Sequence, residues 1–486
     1  MSSVPTHDHW IRGRSVGPRD RARIPRYSPA DGRLIANAAA GTAQDVKEAV
    51  TAARDAFERG PWTSLSGAER GERLGRLADL MQRNLEALAR IEAEEAGKPI
   101  TAARMEMGVA IGLTRYAASL AWNITGRLLT QGGPGRFGLV IREARGVAGL
   151  IVAWNYPALC LMQKLPYALA AGCAVVIKPS ELTAGTTLMI ARMASEVGIP
   201  DGQVNVVIGT GEVVGEALTS DSAVDMISFT GSSRVGKQVA AKCAASGKHC
   251  SLELGGKGAN IIFADADIDA AVEATYLGFT YNKGEECCSS ARILVERAIA
   301  PQVTEALVAR CRKARIGMPL DDQTDVGPMI HAQHMARVLD YIAKAKAEGG
   351  RLITGGAQLR EGDLARGCFL PPTIFDQVTP RMTVFREEIF GPVACIVGFD
   401  SVDEAIQLAN DTEYGLANGV WTSKIDTALA VVARLRSGMV YVNTYFESLP
   451  QLPLGGLKAS GTGHENGPEG LQEFLQTRSA FIRSRS

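Results

Sequence analysis

Residues 146–180 read "GVAGLIVAWNYPALCLMQKLPYALAAGCAVVIKPS". Two short β-branched runs, "GVAGLIVAW" and "CAVVIKPS", flank a helix-like stretch at 157–171. A strand, a crossover helix and a second strand of these lengths make a parallel βαβ unit. The alternation continues downstream. "QVNVVIG", "MISFTG" and "HCSLELGG" read as further strands, with helices expected at 183–198, 211–219 and 233–246. Such a sheet binds its ligand at the carboxyl ends of the strands.

A second series follows the first. "ANIIFA", "RILVE", "PTIFDQV", "PVACIVGF", "GVWT" and "GMVYVN" alternate with helices at about 267–280, 298–315 and 331–348. Upstream, Thr42 and Asp45 form a capping-box pattern ahead of Val46, Ala49, Val50, Ala53 and Phe57, and Gly60-Pro61 stops that helix. Helices are expected over 67–96 and roughly 99–121. "TGRLLTQ" (125–131) and "FGLVIREARG" (137–146) flank "GGPGR", which reads as a β-hairpin. The fold class is therefore α/β, with two sheet-building blocks and a hairpin appendage.

At 486 residues the chain is too long for one ordinary core, so two or three domains are expected. Hydrophobic residues at 46% and charged residues at 21% match an average globular protein. Formal net charge is zero and no Lys/Arg run forms a patch, which argues against nucleic acid as a partner. Arginines gather mildly at 12–26 between Asp, Pro and Gly, and read as a mobile surface arm. The most apolar stretch, Val147 to Met162, contains Asn155 and Pro157 and is short for a bilayer, so no membrane partner is expected. The N-terminus has no apolar signal-peptide core. Nine scattered cysteines, with no C-x2-C pair, argue against a disulfide framework and against a zinc site. A soluble protein of a reducing cytoplasm, with no metal, is the expectation.

Five stretches carry candidate chemistry. "FTGSSRVG" (229–236) follows a strand and opens a helix. Gly231 there lets backbone approach a phosphate, and Ser232 offers a hydroxyl beside free helix N–H groups. An ordinary strand-to-helix turn explains it equally well. "GTGEVVG" (209–215) is a looser glycine pattern. "KPSE" (178–181) ends a strand with Lys178 and Glu181, able to bracket a ribose by donating and accepting, or forming a solvated loop. Glu253, in apolar company before Gly255 and Gly256, is either a general base with a raised pKa or a buried Glu paired with a Lys. "NKGEECC" (282–288) sets Cys287 and Cys288 side by side after Glu285 and Glu286.

With these in view the chain resembles the aldehyde dehydrogenase superfamily over nearly its whole length. The motifs that carry the resemblance are "WNYP" (154–157), "KPSE", "FTGSSRVG", "LELGGK" (252–257), "NKGEECC", "EEIFGPV" (387–393) and "PLGGLKASGTGHENG" (453–467), in the family's order. The resemblance implies a Rossmann-like NAD-binding domain, an α/β catalytic domain and a β-hairpin oligomerisation arm. It assigns 1–124 with 147–250 to the first, 251–455 to the second, and 125–146 with the tail 456–486 to the arm. It implies oxidation of a small-molecule aldehyde to a carboxylic acid with NAD(P)+. The nucleophile is Cys287, aligned on Asn282 and Gly284 of the family pattern N-x-G-Q-x-C. The Asn155 amide and the Cys287 N–H are the oxyanion donors, Glu253 is the base for hydrolysis, and Lys164 and Glu465 form a proton relay. Cofactor contacts fall on Trp154, Lys178, Glu181, Gly231, Ser232, Gly255, Glu388 and Phe390. Glu181 would repel a 2′-phosphate, so NAD is favoured over NADP.

The resemblance also places a substrate tunnel at Tyr156, Leu159, Cys160, Gln163, Tyr281, Glu286, Cys288, Tyr445, Phe446 and Leu454. No Arg or Lys lies in 444–452, which favours apolar, aromatic or amine-bearing aldehydes over semialdehyde acids. Glu286 and Glu447 either attract a cationic group or face solvent. The chain departs from the pattern at Glu285, where the family's usual residue is Gln. A carboxylate two residues before the thiol opposes thiolate formation if it points that way. A coenzyme A-acylating relative typically lacks the Glu253 carboxylate, and a non-catalytic protein on the same fold would need none of the constellation. A homodimer or homotetramer joined through the arm is expected, since the apolar hairpin is otherwise an open edge.

Overall fold

Every residue of the strand Val147–Ile151 is buried, and so is every residue of Ala174–Lys178. Both faces of this sheet are therefore covered, as the near-continuous apolar runs require. Alternate side chains enter two different cores. Ala148, Leu150, Val175 and Ile177 join one, while Val147, Ile151, Ala174 and Val176 join the other. The structure, a computed structural model, describes residues 4–484.

The first sheet has eight strands in the order 461–462, 249–253, 226–230, 147–151, 174–178, 204–206, 9–11, 14–16. Its five central strands are parallel and its outer pairings antiparallel. The second sheet has seven strands, 351–354, 373–376, 393–399, 292–296, 259–262, 417–421 and 439–442. All its pairings are parallel except the first. The strands Arg127–Leu129 and Arg136–Ala144 form the expected hairpin, and the C-terminal strand Leu475–Arg483 extends it along its whole length. Among the described residues no helix is long and apolar enough to cross a membrane.

Register lines up the functional ends. Ile151 pairs with Lys178 and with Phe229, and Thr230 pairs with Glu253. The strands that lead into Asn155, Lys178, Ser232 and Glu253 thus finish in one row at the sheet's carboxyl edge.

Several elements differ from the sequence reading. The helix expected over 67–96 is two, Gly67–Arg83 and Leu85–Ala96. Between them Asn84 turns its amide back to the Leu80 carbonyl at 2.9 Å, in competition with the helix ladder. The stretch 157–171 also divides, into Pro157–Met162 and Leu165–Ala171, because Pro166 has no N–H to continue the first helix. The segment at 211–219 opens with a wide turn, Gly211–Gly215, before the short helix Glu216–Ser220. The arginines of 12–26 are no mobile arm. They lie on and between strands of two sheets, and Arg26 is buried, donating to the carbonyls of Glu95 and Ile330. The domain change expected at 250–251 falls inside the strand His249–Glu253, which belongs wholly to the first sheet. The tail contributes to that sheet too, through Gly461–Thr462. The Thr42 capping box is present, with Asp45 N–H on Thr42 Oγ1 at 3.3 Å and Thr42 N–H on Asp45 Oδ2 at 2.8 Å.

Gly461 has φ +151°, and a Cβ there would lie 2.1 Å from the Leu252 carbonyl oxygen. Gly461→Ala is expected to cost about 1–3 kcal/mol in strain, by forcing the edge strand away from Glu253. A lower thermal unfolding midpoint together with reduced turnover is the expected result. An unchanged midpoint contradicts it.

Candidate active site

A cavity of about 450 Å³ opens at the carboxyl ends of the first sheet, and Trp154, Asn155, Gly231, Ser232, Cys287 and Glu388 all face it. Its walls come from both α/β units. The first supplies Asn155 and Ser232, and the second supplies Cys287 and Glu388.

The loop that presents Cys287 follows the helix Ile268–Thr280 and runs through three consecutive left-handed residues, Asn282, Lys283 and Gly284, at φ 46°, 63° and 69°. A Cβ on Gly284 would meet the Gly391 backbone at 2.3 Å, so only glycine passes here. Lys283 in this conformation is costly and is held by its buried ammonium. That group reaches the Ala96 carbonyl, Asn282 Oδ1 and Glu285 Oε2, each at 2.9 Å. The other Glu285 oxygen accepts from Ile330 N–H at 2.9 Å. Glu285 is therefore turned towards Lys283 and Ile330, and its carboxylate is fully engaged there.

Asn155 sits where the first strand gives way to the helix Pro157–Met162. Its amide donates to the Glu285 carbonyl at 3.1 Å, and the Asn282 amide donates to the Asn155 carbonyl at 2.9 Å. These bonds fix the Cys287 loop against the first sheet and leave one Asn155 N–H over. Cys287 is half-buried. A hydrogen bond with the Cys288 thiol, and burial, hold its pKa well above the ordinary thiol value.

Glu253, the last residue of its strand, is buried and its Oε1 has no hydrogen-bond partner. Burial pushes its pKa up to about 8, against the opposing pull of Lys164 and the Gly456 N–H. Lys164 does not take Glu253 as its ion-pair partner. It pairs with Glu465, which also accepts from Thr230 Oγ1 at 3.5 Å. Burial pushes Lys164 down to about 8. Of the two readings of Glu253, the structure therefore favours the unpaired carboxylate.

Lys178 and Glu181 pair at 3.2 Å at the end of their strand. Ser232, which lines the cavity, is the N-cap of the helix Ser233–Ala245, with Val235 N–H on its hydroxyl at 3.4 Å. The "GTGEVVG" stretch does not line this cavity. Glu388 accepts from Gly256 N–H at 3.0 Å, and a Cβ on Gly255 would strike its carboxylate at 2.3 Å. Burial pushes Glu388 up to about 7. Phe390 stands edge-on to Trp154 with centroids 5.3 Å apart.

The expected tunnel residues gather beyond the thiol. Cys288, Tyr445, Phe446 and Leu454 pack in one apolar cluster with Cys287. Tyr445 donates to the Cys288 carbonyl at 2.8 Å, and Tyr281 meets Phe446 at 5.7 Å. Cys160 faces the cavity, and burial pushes its thiol up to about 12. Leu159 is half-buried and Gln163 is buried. Glu447 is exposed, whereas Glu286 is buried, with Oε1 accepting from Cys288 N–H at 2.9 Å. Solvation therefore explains Glu447 and does not explain Glu286.

Three features have no local sequence signal. Lys98 is fully buried between Glu92 and Glu106, with its ammonium 4.5 Å over the Tyr156 ring. Glu92 also accepts from Ala158 N–H at 2.6 Å, which braces the helix after Asn155. His334, from the helix Ala332–Ala347, is bonded to the Phe390 carbonyl at 2.7 Å and packs against Trp154.

A sequence model of the aldehyde dehydrogenase family matches residues 16–480. The chain belongs to the aldehyde dehydrogenase family. Aldehyde dehydrogenase family 2 member C4 of Arabidopsis thaliana is 39% identical over 475 residues, covering 97% of this chain and 94% of its own. Betaine aldehyde dehydrogenase of Bacillus subtilis is 39% identical over 454 residues, 93% of each chain. An NAD-dependent aldehyde dehydrogenase from Sinorhizobium meliloti has a TM-score of 0.97 at 41% identity, covering 99% of this chain and 95% of that one. Betaine aldehyde dehydrogenase from Staphylococcus aureus, in complex with NAD+, has a TM-score of 0.97 at 35% identity over 99% and 95%. The Rossmann-like and catalytic α/β architecture is thus the family's own.

In this aldehyde dehydrogenase family member the Lys283–Glu285 pair bears on the Cys287 loop directly. Lys283→Met strands a buried carboxylate and is expected to cost about 3–5 kcal/mol. Lys283→Met combined with Glu285→Gln removes the stranded charge. The double variant is expected to melt well above the single one in thermal unfolding. Equal midpoints would show that the pair is not what holds the loop.

Proposed function

We propose that the protein oxidises an aldehyde to the free carboxylic acid with NAD+, using Cys287 as nucleophile. The observation that carries the proposal is one cavity lined by both Cys287 and Asn155, with its spare N–H, and a Glu253 whose Oε1 is unpartnered at a neighbouring strand end.

The cofactor contacts proposed are Ser232 with the first turn of its helix for the diphosphate, and Lys178 with Glu181 for the adenosine ribose. Glu388, with Trp154, Gly231, Gly255 and Phe390 around it, is assigned to the nicotinamide end. The gap left by the missing Cβ of Gly255 and the row of strand ends suit such a ligand. Bound NAD+ supplies the hydride acceptor. The Glu181 carboxylate disfavours a 2′-phosphate, so NADP+ is the poorer cofactor.

The Cys287 thiolate forms a bond to the aldehyde carbon, and the carbonyl oxygen becomes an oxyanion. Asn155 is oriented by its bond to the Glu285 carbonyl, so its second N–H donates to that oxygen together with the Cys287 backbone N–H. Loss of hydride from the same carbon leaves a thioester on Cys287. Glu253 takes a proton from water, whose oxygen attacks the thioester and releases the acid and the thiol. A carboxylate with a pKa near 8 is half ionised only near pH 8, and when ionised is a stronger base than an ordinary Glu. Lys164 and Glu465 adjoin it as the route for that proton. The intact Glu253 argues against acyl transfer to coenzyme A.

The aromatic wall of Tyr281, Tyr445 and Phe446, with buried Glu286 behind it, fits an aromatic or amine-bearing aldehyde. The arm leaves Leu128, Leu129 and Phe481 exposed, which suits strand pairing in a homodimer or homotetramer. Nine free cysteines suit a reducing compartment such as the cytoplasm.

The test is NADH formation with an aldehyde panel. Cys287→Ser is expected to lose roughly a thousandfold or more in kcat/KM, while Cys288→Ser stays active. Glu253→Gln is expected to form about one NADH per chain and then stall at the thioester. The wild-type rate should rise with pH through about 8, because Glu253 works only when deprotonated. Turnover surviving in Cys287→Ser, or lost only in Cys288→Ser, overturns the assignment.

A further inference from the structure

Glu286, Cys287 and Cys288 place one carboxylate oxygen and two sulfurs within 4.8 Å of one another. We propose that these three residues form a binding site for one thiophilic divalent cation of the zinc class. The spacing rules for zinc ligands overlook it, because the ligands are consecutive in the chain.

The distances already suit an ion. Tetrahedral zinc holds thiolate sulfur at about 2.3 Å and carboxylate oxygen at about 2.0–2.2 Å. A tetrahedral angle between such bonds sets oxygen and sulfur about 3.5 Å apart. Cys287 Sγ and Glu286 Oε1 stand 3.6 Å apart. The carboxylate is also braced as a metal ligand is, by Cys288 N–H at 2.9 Å. Cys288 is fixed through its carbonyl by Tyr445. Cys287 faces the cavity, so the ion enters from there and the fourth position remains open to water.

Two thiolates beside one carboxylate select zinc or cadmium over magnesium or calcium, which prefer oxygen ligands. Binding exchanges two thiol protons, released to solvent, for one dication, and relieves the repulsion among three adjacent acidic groups. The consequence for activity rests on Cys287 being the nucleophile. A sulfur bound to the ion cannot attack an aldehyde, so occupancy switches the enzyme off until a chelator removes the ion.

The experiment is a cadmium titration of the reduced, chelator-washed full-length chain, followed by the ultraviolet thiolate-to-cadmium absorption. One cadmium per chain is expected. The absorption should be lost in Cys287→Ala, weakened in Cys288→Ala and unchanged in Cys243→Ala. Glu286→Gln, which keeps the side chain's shape, should weaken affinity roughly tenfold or more. Loss of the absorption in Cys243→Ala with retention in the Cys287 and Cys288 variants would place the ion elsewhere and overturn the proposal. So would the absence of any absorption at millimolar cadmium. Zinc should inhibit aldehyde oxidation over the same range, reversibly by chelator. Cadmium bound at these residues with undiminished turnover leaves the cation site standing and removes Cys287 from the nucleophile's role.

Discussion

Asn155 and Asn282 hold the catalytic centre together from opposite sides. One lies at a strand end of the first sheet and the other begins the loop of the second. Asn155 donates to the Glu285 carbonyl, and Asn282 donates both to the Asn155 carbonyl and to that of Glu285, the latter at 3.2 Å. The proposed oxyanion donor and the loop of the proposed nucleophile therefore belong to one hydrogen-bonded unit, although they come from different cores. Positioning of this kind matters because a misplacement of about 1 Å can cost a hundredfold in rate. The left-handed run Asn282–Lys283–Gly284 is the backbone distortion this arrangement requires, and Lys283 stabilises it from beneath.

Around that unit the interior is unusually ionic. Lys98 with Glu92 and Glu106, Lys164 with Glu465, and Lys283 with Glu285 are all buried. Buried pairs contribute little net stability, since desolvation offsets their attraction. Their value here is directional. Each ammonium fixes an element that borders the cavity: Lys98 the Tyr156 turn, Lys164 the tail at Glu465, Lys283 the cysteine loop. Glu253 is left outside every pair, and its burial raises its pKa.

Much of this was legible in the sequence, because it depends on local pattern. The period of the apolar runs marked the strands, Thr42 and Asp45 marked a helix start, and the motif order singled out Cys287, Glu253 and Asn155, of which Cys287 and Asn155 line one cavity. What escaped depends on distant partners. Arg26 looked like a surface arginine until Glu95 and Ile330 closed over it. Nothing near Lys98 announces that Glu106 and Tyr156 will enclose it. The direction of Glu285, the one departure from the family pattern, is set by Lys283 and by Ile330 N–H, and no spacing encodes the latter contact. The helix breaks at Asn84 and Pro166 were written in single residues, but the apolar periodicity running through them masked the signal.

The same burial that tunes the site weakens it. Glu253 is raised from an ordinary 4.5 to about 8, so between those values the folded chain keeps a proton that the unfolded chain releases. Stability therefore falls as pH rises through that window, and the penalty is complete above it. Lys164 is lowered from 10.5 to about 8, so its penalty is complete below about 8 and is relieved only as pH rises towards 10.5. The two penalties overlap most near pH 8, where carboxylate and ammonium begin to coexist in the buried site. That is also the region in which Glu253 becomes available as a base. The charge state the proposed hydrolysis needs is thus the one folding tolerates least, and Glu465, already bonded to Lys164, keeps it within reach by neutralising the ammonium.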